Sequence, residues 1–270
     1  MSYVDIPLPR LVGAVALVAI AIVLSRARGL GLEGKLAWAS VRGAVQLLAV
    51  GYALRLLLAH EHPLATLLVL TTMLVVAAWT ASRRVEHGPA ERALFGPALV
   101  AIATGGAVAL LPVFACVIRP SAHDAARLVV PISGMILSNA MNTVALVFER
   151  VFASARAEAA TIEQLLALGA SPEQALHAQS RAAVRAAMTP TINGLLTVGL
   201  VALPGMMTGQ IVSGTSPESA VRYQIVILYQ LVVVAAVSGV VAAKLAQRML
   251  FTPREQLALP AERSTTKGPA

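Results

Sequence analysis

Leu203-Pro204-Gly205-Met206-Met207-Thr208-Gly209-Gln210-Ile211 sets helix breakers, thioethers and uncharged polar groups inside an apolar span that carries no charge. A soluble helix has little use for such a run. In a bilayer, non-helical backbone is tolerated only where protein covers it or a watery cavity solvates it, so the segment reads as the wall of a pathway or as a tight helix contact. Gly205 and Gly209 are its expected flexible points.

The rest of the chain agrees. Of 270 residues, 57% are hydrophobic and 13% charged, and the mean hydropathy is +0.77. One soluble core could not hide that much apolar surface. The expected fold class is an all-α polytopic membrane protein. The single Cys116 excludes an internal disulfide, and no Cys/His cluster has the spacing of a structural zinc or iron–sulfur site. The net charge of +8 points to basic residues flanking membrane spans and not to nucleic acid.

Apolar stretches long enough to cross about 30 Å of hydrocarbon at about 1.5 Å per residue lie near 8–25, 36–58, 63–82, 93–117, 128–149, 191–212 and 218–245. The first is not a cleaved signal peptide: no basic region precedes it, and Arg26 and Arg28 follow it. With seven spans, fifteen basic residues fall on one side, among them Arg83, Arg84, Arg150, Arg156, Arg181, Arg185, Lys244 and Arg248, against five on the other (Arg10, Arg55, Arg119, Arg127 and Arg222). The N-terminus is therefore expected outside and the C-terminus in the cytoplasm. Residues 1–250 would form a transmembrane permease domain, and the Pro-, Ser- and Thr-containing residues 251–270 a disordered cytoplasmic tail.

Residues 150–190 are the one long segment between spans, and the charge rule places them in the cytoplasm. Ile162, Leu165, Leu166 and Leu168 cluster toward one helical face, and Gly169 suits the end of that helix. Ser171-Pro172-Glu173-Gln174 supplies an N-cap, a proline at the first position and a glutamine able to close a capping box. Two short helices with a sharp joint are expected. Such a hairpin can dock in a cleft of a soluble partner, or lie on lipid headgroups as an interfacial helix. The related letters Gly-x-Ser-Pro-Glu recur from Gly214, but they are helix-start chemistry and imply no duplicated architecture.

Within the spans, Met135, Asn139, Asn142 and Glu149 share one stripe of the fifth helix, beside a stripe of Gly134, Ser138, Met141 and Ala145. Small and polar residues on one face commonly mean close packing with cross-helix hydrogen bonds, whereas two Asn with a Met on one stripe favour a pathway wall. Span six, counted as helix from Thr191 to Pro204, brings its breakers to the depth of Gly134. Gln46 follows Arg42 by one turn in span two; Arg42 either snorkels to the boundary or pairs with Glu149, in which case reversing both charges should restore what either reversal removes. Met135, Met141, Met206 and Met207 offer thioethers suited to soft ions, though Met is also an ordinary gap-filler, and no metal coordination set can be named.

Gly29-Leu30-Gly31-Leu32-Glu33-Gly34-Lys35-Leu36 nearly spells a P-loop, but Leu36 stands where a magnesium-binding hydroxyl belongs and a membrane helix precedes it. This chain is thus expected to bind no nucleotide or other cofactor and to be no enzyme. If ATP and Mg drive it, another subunit uses them.

Arg42-x3-Gln46-Leu47 with Gly51-Tyr52, Gly134-Met135 with Asn139-x-Met141-Asn142, Pro190-Thr191-x-Asn193, the Leu203–Ile211 run and Tyr223-Gln224-Ile225 together resemble the FetB-type permease subunits of ABC transporters, over about residues 35–250. The resemblance implies a cytoplasmic ABC ATPase partner, a permease homodimer, the cell inner membrane, and export of iron or another metal ion; plant relatives are linked to aluminium tolerance and UDP-glucose transport. The hairpin also resembles the coupling motif of ABC importer permeases, with Glu163 six residues before Gly169, although Pro190 comes later than that pattern has it. On this reading Gln46, Met135, Asn139 and Asn142 line the path, and Glu163 and Gly169 belong to ATPase coupling. Export of a UDP-sugar or other small solute, or secondary transport without an ATPase, are the alternatives. The second has no deep Asp or Glu to couple an ion gradient.

Overall fold

The computed structural model describes residues 8–60, 63–120 and 125–259, which are helical with no β-strand. The described residues divide into two compact units, one of residues 8–60 with 212–214 and one holding the described residues of 63–211 and 215–259.

The first unit is a hairpin of α1 (Leu8–Ala27) and α2 (Glu33–His60), in register with the first two apolar stretches. Its turn passes through Gly29 and Gly31, both with positive φ, and is fastened by Ser25. The Ser25 hydroxyl donates to Glu33 Oε1 at 3.0 Å and accepts the Leu32 N–H at 3.2 Å. The glycine-rich run is thus a helix-to-helix turn, not a phosphate cradle.

The second unit packs α3 (Pro63–Arg83), α4 (Glu91–Pro112), α5 (Ala125–Ala157), α8 (His177–Thr197) and α10 (Pro217–Leu250) against one another, with α4 prolonged by a π-helical turn, Val113–Ile118. Among the described residues, Pro63–Arg83, Glu91–Ile118, Ala126–Ala157 and Pro217–Leu250 are helices long and apolar enough to cross a membrane. The chain is a multi-pass helical membrane protein. Lipid tails compete equally for apolar side chains, so association here depends on close packing. A Cβ on Gly105 would lie 2.8 Å from Ser238 Cβ and 3.1 Å from the Ser238 nitrogen, which shows how nearly α4 and α10 touch. Phe148 and Phe152 of α5 fill the core with Leu94 and Ile102 of α4.

The hairpin between α5 and α8 consists of α6 (Ala159–Ala167) and α7 (Pro172–Ala175). Gly169, at φ +89°, ends the first helix; its N–H reaches Leu166 O and the Ala170 N–H reaches Leu165 O, each at 3.0 Å. The capping box forms as the sequence predicts, Gln174 N–H donating to Ser171 Oγ while Gln174 Oε1 accepts from the Ser171 N–H. Ser216 caps α10 by accepting the Ser219 N–H on its hydroxyl, with Pro217 in the first turn.

The two short helices of the hairpin form as expected, and α7 leads almost directly into α8, which runs to Thr197. Two expectations change. Span six is not one helix from Thr191 to Pro204 and on to 212, because α8 ends at Thr197 and α9 (Gly205–Val212) starts afresh. The chain after Phe251 is also not slack throughout. Phe251 pairs with Leu257, the Thr252 N–H donates to Gln256 O at 2.9 Å, and the Ala258 N–H donates to Leu250 O at 2.7 Å. Leu257 packs on the core and supplies the apolar contact that composition alone hid; residues 260–270 lie outside the described residues.

Candidate functional site

The interruption between α8 and α9 spans residues 198–204 and is built from two breakers. Gly199 adopts φ +80°, a region that a side chain makes costly. Its N–H donates to Ala202 O at 3.0 Å, while the Val201 N–H reaches back to Thr197 O at 3.0 Å. Pro204 ends the interruption: its carbonyl accepts both the Thr208 N–H at 3.0 Å and the Thr208 hydroxyl at 3.1 Å, which starts α9. Gly205 and Gly209 therefore sit within a two-turn helix, and the left-handed residue is Gly199, outside the quoted run.

Beside the interruption lies a cavity of about 420 Å³. Met135 and Asn139 of α5 line it with Thr191 and Gly194 of α8, Pro204 and Met206 beyond the break, and Gln224 and Leu231 of α10. Every lining side chain is uncharged. Asn139 holds three helices at this point: its Nδ2 donates to Leu231 O at 3.0 Å, and its Oδ1 accepts from the Thr191 hydroxyl at 3.3 Å. It lies about 21 Å along α5 from Ala125, well inside hydrocarbon depth. Gln224 is 7% exposed, and its Oε1 is buried with no hydrogen-bond partner. A buried amide oxygen with no partner leaves hydrogen-bonding capacity unused beside the cavity.

Met135 and Asn139 line the same cavity as Pro204; a shared depth of the two break-prone regions permits this contact, although the unbroken helix by which that depth is counted does not form. Asn142 goes elsewhere. Its Oδ1 accepts from Arg84 Nη1 at 2.6 Å, in a corner where the α3–α4 loop folds onto α5. In the same corner the Glu149 carboxylate accepts the backbone N–H of Glu86 at 2.6 Å and of His87 at 3.3 Å, and meets the His87 ring. Gly88 fits beneath because it has no side chain: a Cβ there would stand 2.8 Å from Val85 Cγ1 and 2.9 Å from Phe152 Cδ2. Gln46 and Arg42 are exposed on α2 of the first unit. Glu163 is exposed on α6, and its neighbour Ile162 is fully buried. Among the described residues no group of three His, Cys, Asp or Glu could hold a metal ion.

Thr191 and Gln224 carry more of the cavity than the sequence suggests. Gln224 stands nearly two turns inside an apolar span, which is the signal that could have marked it.

The α8 rod joins the two ends of this arrangement. It starts at His177, directly after the hairpin, and stops at Thr197 in the cavity wall, so 21 residues make a strut of about 30 Å. Gln179 Nε2 donates to Glu158 Oε2 at 2.7 Å and ties the foot of the strut to the start of the hairpin.

The model of the family described as "Uncharacterised protein family (UPF0014)" matches residues 8–251. A UPF0014 membrane protein of Synechocystis sp. is 37% identical over 237 residues, 88% of this chain and 91% of that protein. The "Probable iron export permease protein FetB" of Escherichia coli is 34% identical over 90% of this chain and 92% of its own length. "Protein ALUMINUM SENSITIVE 3" of Arabidopsis thaliana is 31% identical over 90% and 87%. No solved structure matches.

Proposed function

The chain belongs to the UPF0014 family of membrane proteins, and from that membership we propose that it is the membrane-spanning permease subunit of an ATP-driven ABC exporter in the cell inner membrane. ATP and Mg are used by a separate cytoplasmic ABC ATPase subunit, and two permease copies form the working pair. The observation that carries this reading is the α8 strut, one helix with Pro190 inside it, which runs from an exposed capped hairpin to an uncharged cavity at a helix break. A push on α6 and α7 moves the wall that holds Thr191 and hence its bond to Asn139. The ATPase biases alternating access through its different affinities for two hairpin positions.

The cargo is iron or another metal ion, as the name of the E. coli relative suggests. Amide oxygens and the thioethers of Met135 and Met206 bind such an ion weakly, which suits a path that cargo must leave as readily as it enters. A second reading has its own support: about 420 Å³ of neutral, hydrogen-bonding space also accommodates part of a UDP-sugar or another small organic solute.

Reconstitution with the ATPase subunit in vesicles tests the whole. ATP-dependent flux of iron, with none of a UDP-sugar, is the expected result. Flux of either cargo without nucleotide or partner would replace this reading with secondary transport.

A further inference from the structure

At the hairpin end, away from the cavity, α8 and α10 leave a second groove of about 430 Å³. Its floor is apolar: Val184, Met188 and Ile192 recur at one-turn spacing on α8 and face Val240 and Ala243 of α10. Its mouth is cationic, with Arg181, Arg185 and Lys244 lining it. Lys244 is shared with an adjoining hollow that adds Arg248. None of these four cations makes an ion pair among the described residues. The other titratable groups at the mouth are Glu173 and His177, with Glu255 in the adjoining hollow, so positive charge is in surplus. Ser180 also lines the groove, and its Oγ is buried without a partner. From Val184 to Ile192 the floor runs about 12 Å, most of the roughly 15 Å depth of one hydrocarbon leaflet.

We propose that this groove holds one anionic phospholipid, its phosphate among Arg181, Arg185 and Lys244 and an acyl chain along Val184, Met188 and Ile192. Basic pockets between membrane helices at the leaflet boundary recognise anionic headgroups, and the unpaired cations here supply the complementary charge. A bound lipid would brace the foot of α8 against α10. The inference requires only that the chain spans a membrane, not that an ATPase drives it, so lipid binding and ATP-driven flux can fail separately.

Native mass spectrometry of the full chain in detergent tests it, with phosphatidylglycerol and phosphatidylcholine of matched acyl chains as probes. Wild type is expected to retain phosphatidylglycerol in preference. The triple variant Arg181→Gln, Arg185→Gln, Lys244→Gln should lose that preference, at about fivefold per cation or roughly a hundredfold in all. Met188→Trp, which fills the floor and keeps every charge, should also expel the lipid, with circular dichroism confirming that both proteins stay helical. Millimolar glycerol phosphate should not displace it. Equal retention of the two lipids by wild type, an unchanged preference in the triple variant, or displacement by glycerol phosphate would each overturn the proposal. So would loss of ATPase-subunit capture by the triple variant with lipid retention unaltered, which would make the groove a protein dock.

Discussion

Asn139 and Asn142 lie one turn apart on α5 and sit in different surroundings. Asn139 stands in a cavity wall, bonded to α8 and α10 beside an unsatisfied Gln224 oxygen. Asn142 stands in a corner where Arg84, Glu149 and the backbone of Glu86 and His87 fasten a loop to the same helix. One region leaves polar capacity unused and open space beside it; the other uses its carboxylate several times over and leaves no room for a methyl group at Gly88. On the proposed function, unfilled bonds would serve a passing solute and filled ones a fixed point for a moving strut, so α5 would be the stator of the unit, with one edge facing the moving part and the other clamped.

The clamp should be the easier region to break. Gly88→Val places a branched side chain against Val85 and the fully buried Phe152, and overpacking of this kind costs about 3 kcal/mol at its upper range. Thermal unfolding in detergent should show the largest loss of any single change here. An unshifted midpoint would mean that the corner is looser than its contacts indicate. Glu149→Ala should follow, at about 2 kcal/mol, since two backbone N–H groups and the His87 ring lose their acceptor together. Glu149→Gln keeps an acceptor oxygen and should recover part of that loss.

The cavity should respond in the opposite sense. Asn139→Leu removes bonds to Leu231 O and Thr191, and interhelical hydrogen bonds in membranes average only about 0.6 kcal/mol. Stability should therefore fall little while ATP-dependent flux in reconstituted vesicles falls at least severalfold. Thr191→Val should give a milder copy of the same effect. Flux that survives Asn139→Leu unchanged would remove this cavity from the path.

Local chemistry makes the hairpin legible in the amino-acid sequence. Gly169, Ser171, Pro172 and Gln174 each act within a few residues of themselves, and each does in the fold what its type and position imply. The stripe of Met135 and Asn139 is legible for a similar reason, since helical periodicity is set by the backbone alone. The position of the break is not. Pro204 and Gly205 look like its centre, yet proline is as well suited to beginning a helix as to ending one, and the residue that adopts the left-handed turn is Gly199. Gln224 and the partners of Glu149 are hidden more deeply. Both depend on contacts between segments distant in the chain, α10 with α5 and α8 in one case and the α3–α4 loop with α5 in the other, and no periodicity encodes which helices meet.

Asn142→Ala is the smallest effect and the sharpest test. Three residues of α-helix turn by about 300°, so Asn139 and Asn142 lie about 60° apart on the helical wheel and less than about 5 Å apart along the axis. That offset is small enough for both to read as one stripe and large enough to aim them at different neighbours. If α5 is a stator, Asn142→Ala should cost only about 1 kcal/mol, for the bond that Arg84 donates, and ATP-dependent flux should stay near wild type. Combining it with Asn139→Leu in a double-mutant cycle should leave a coupling of no more than about 0.5 kcal/mol, because the two side chains share no partner although they are near neighbours on one helix. Flux lost in Asn142→Ala alone, with stability unchanged, would show that the pathway wraps around the helix and that the clamp itself opens during transport.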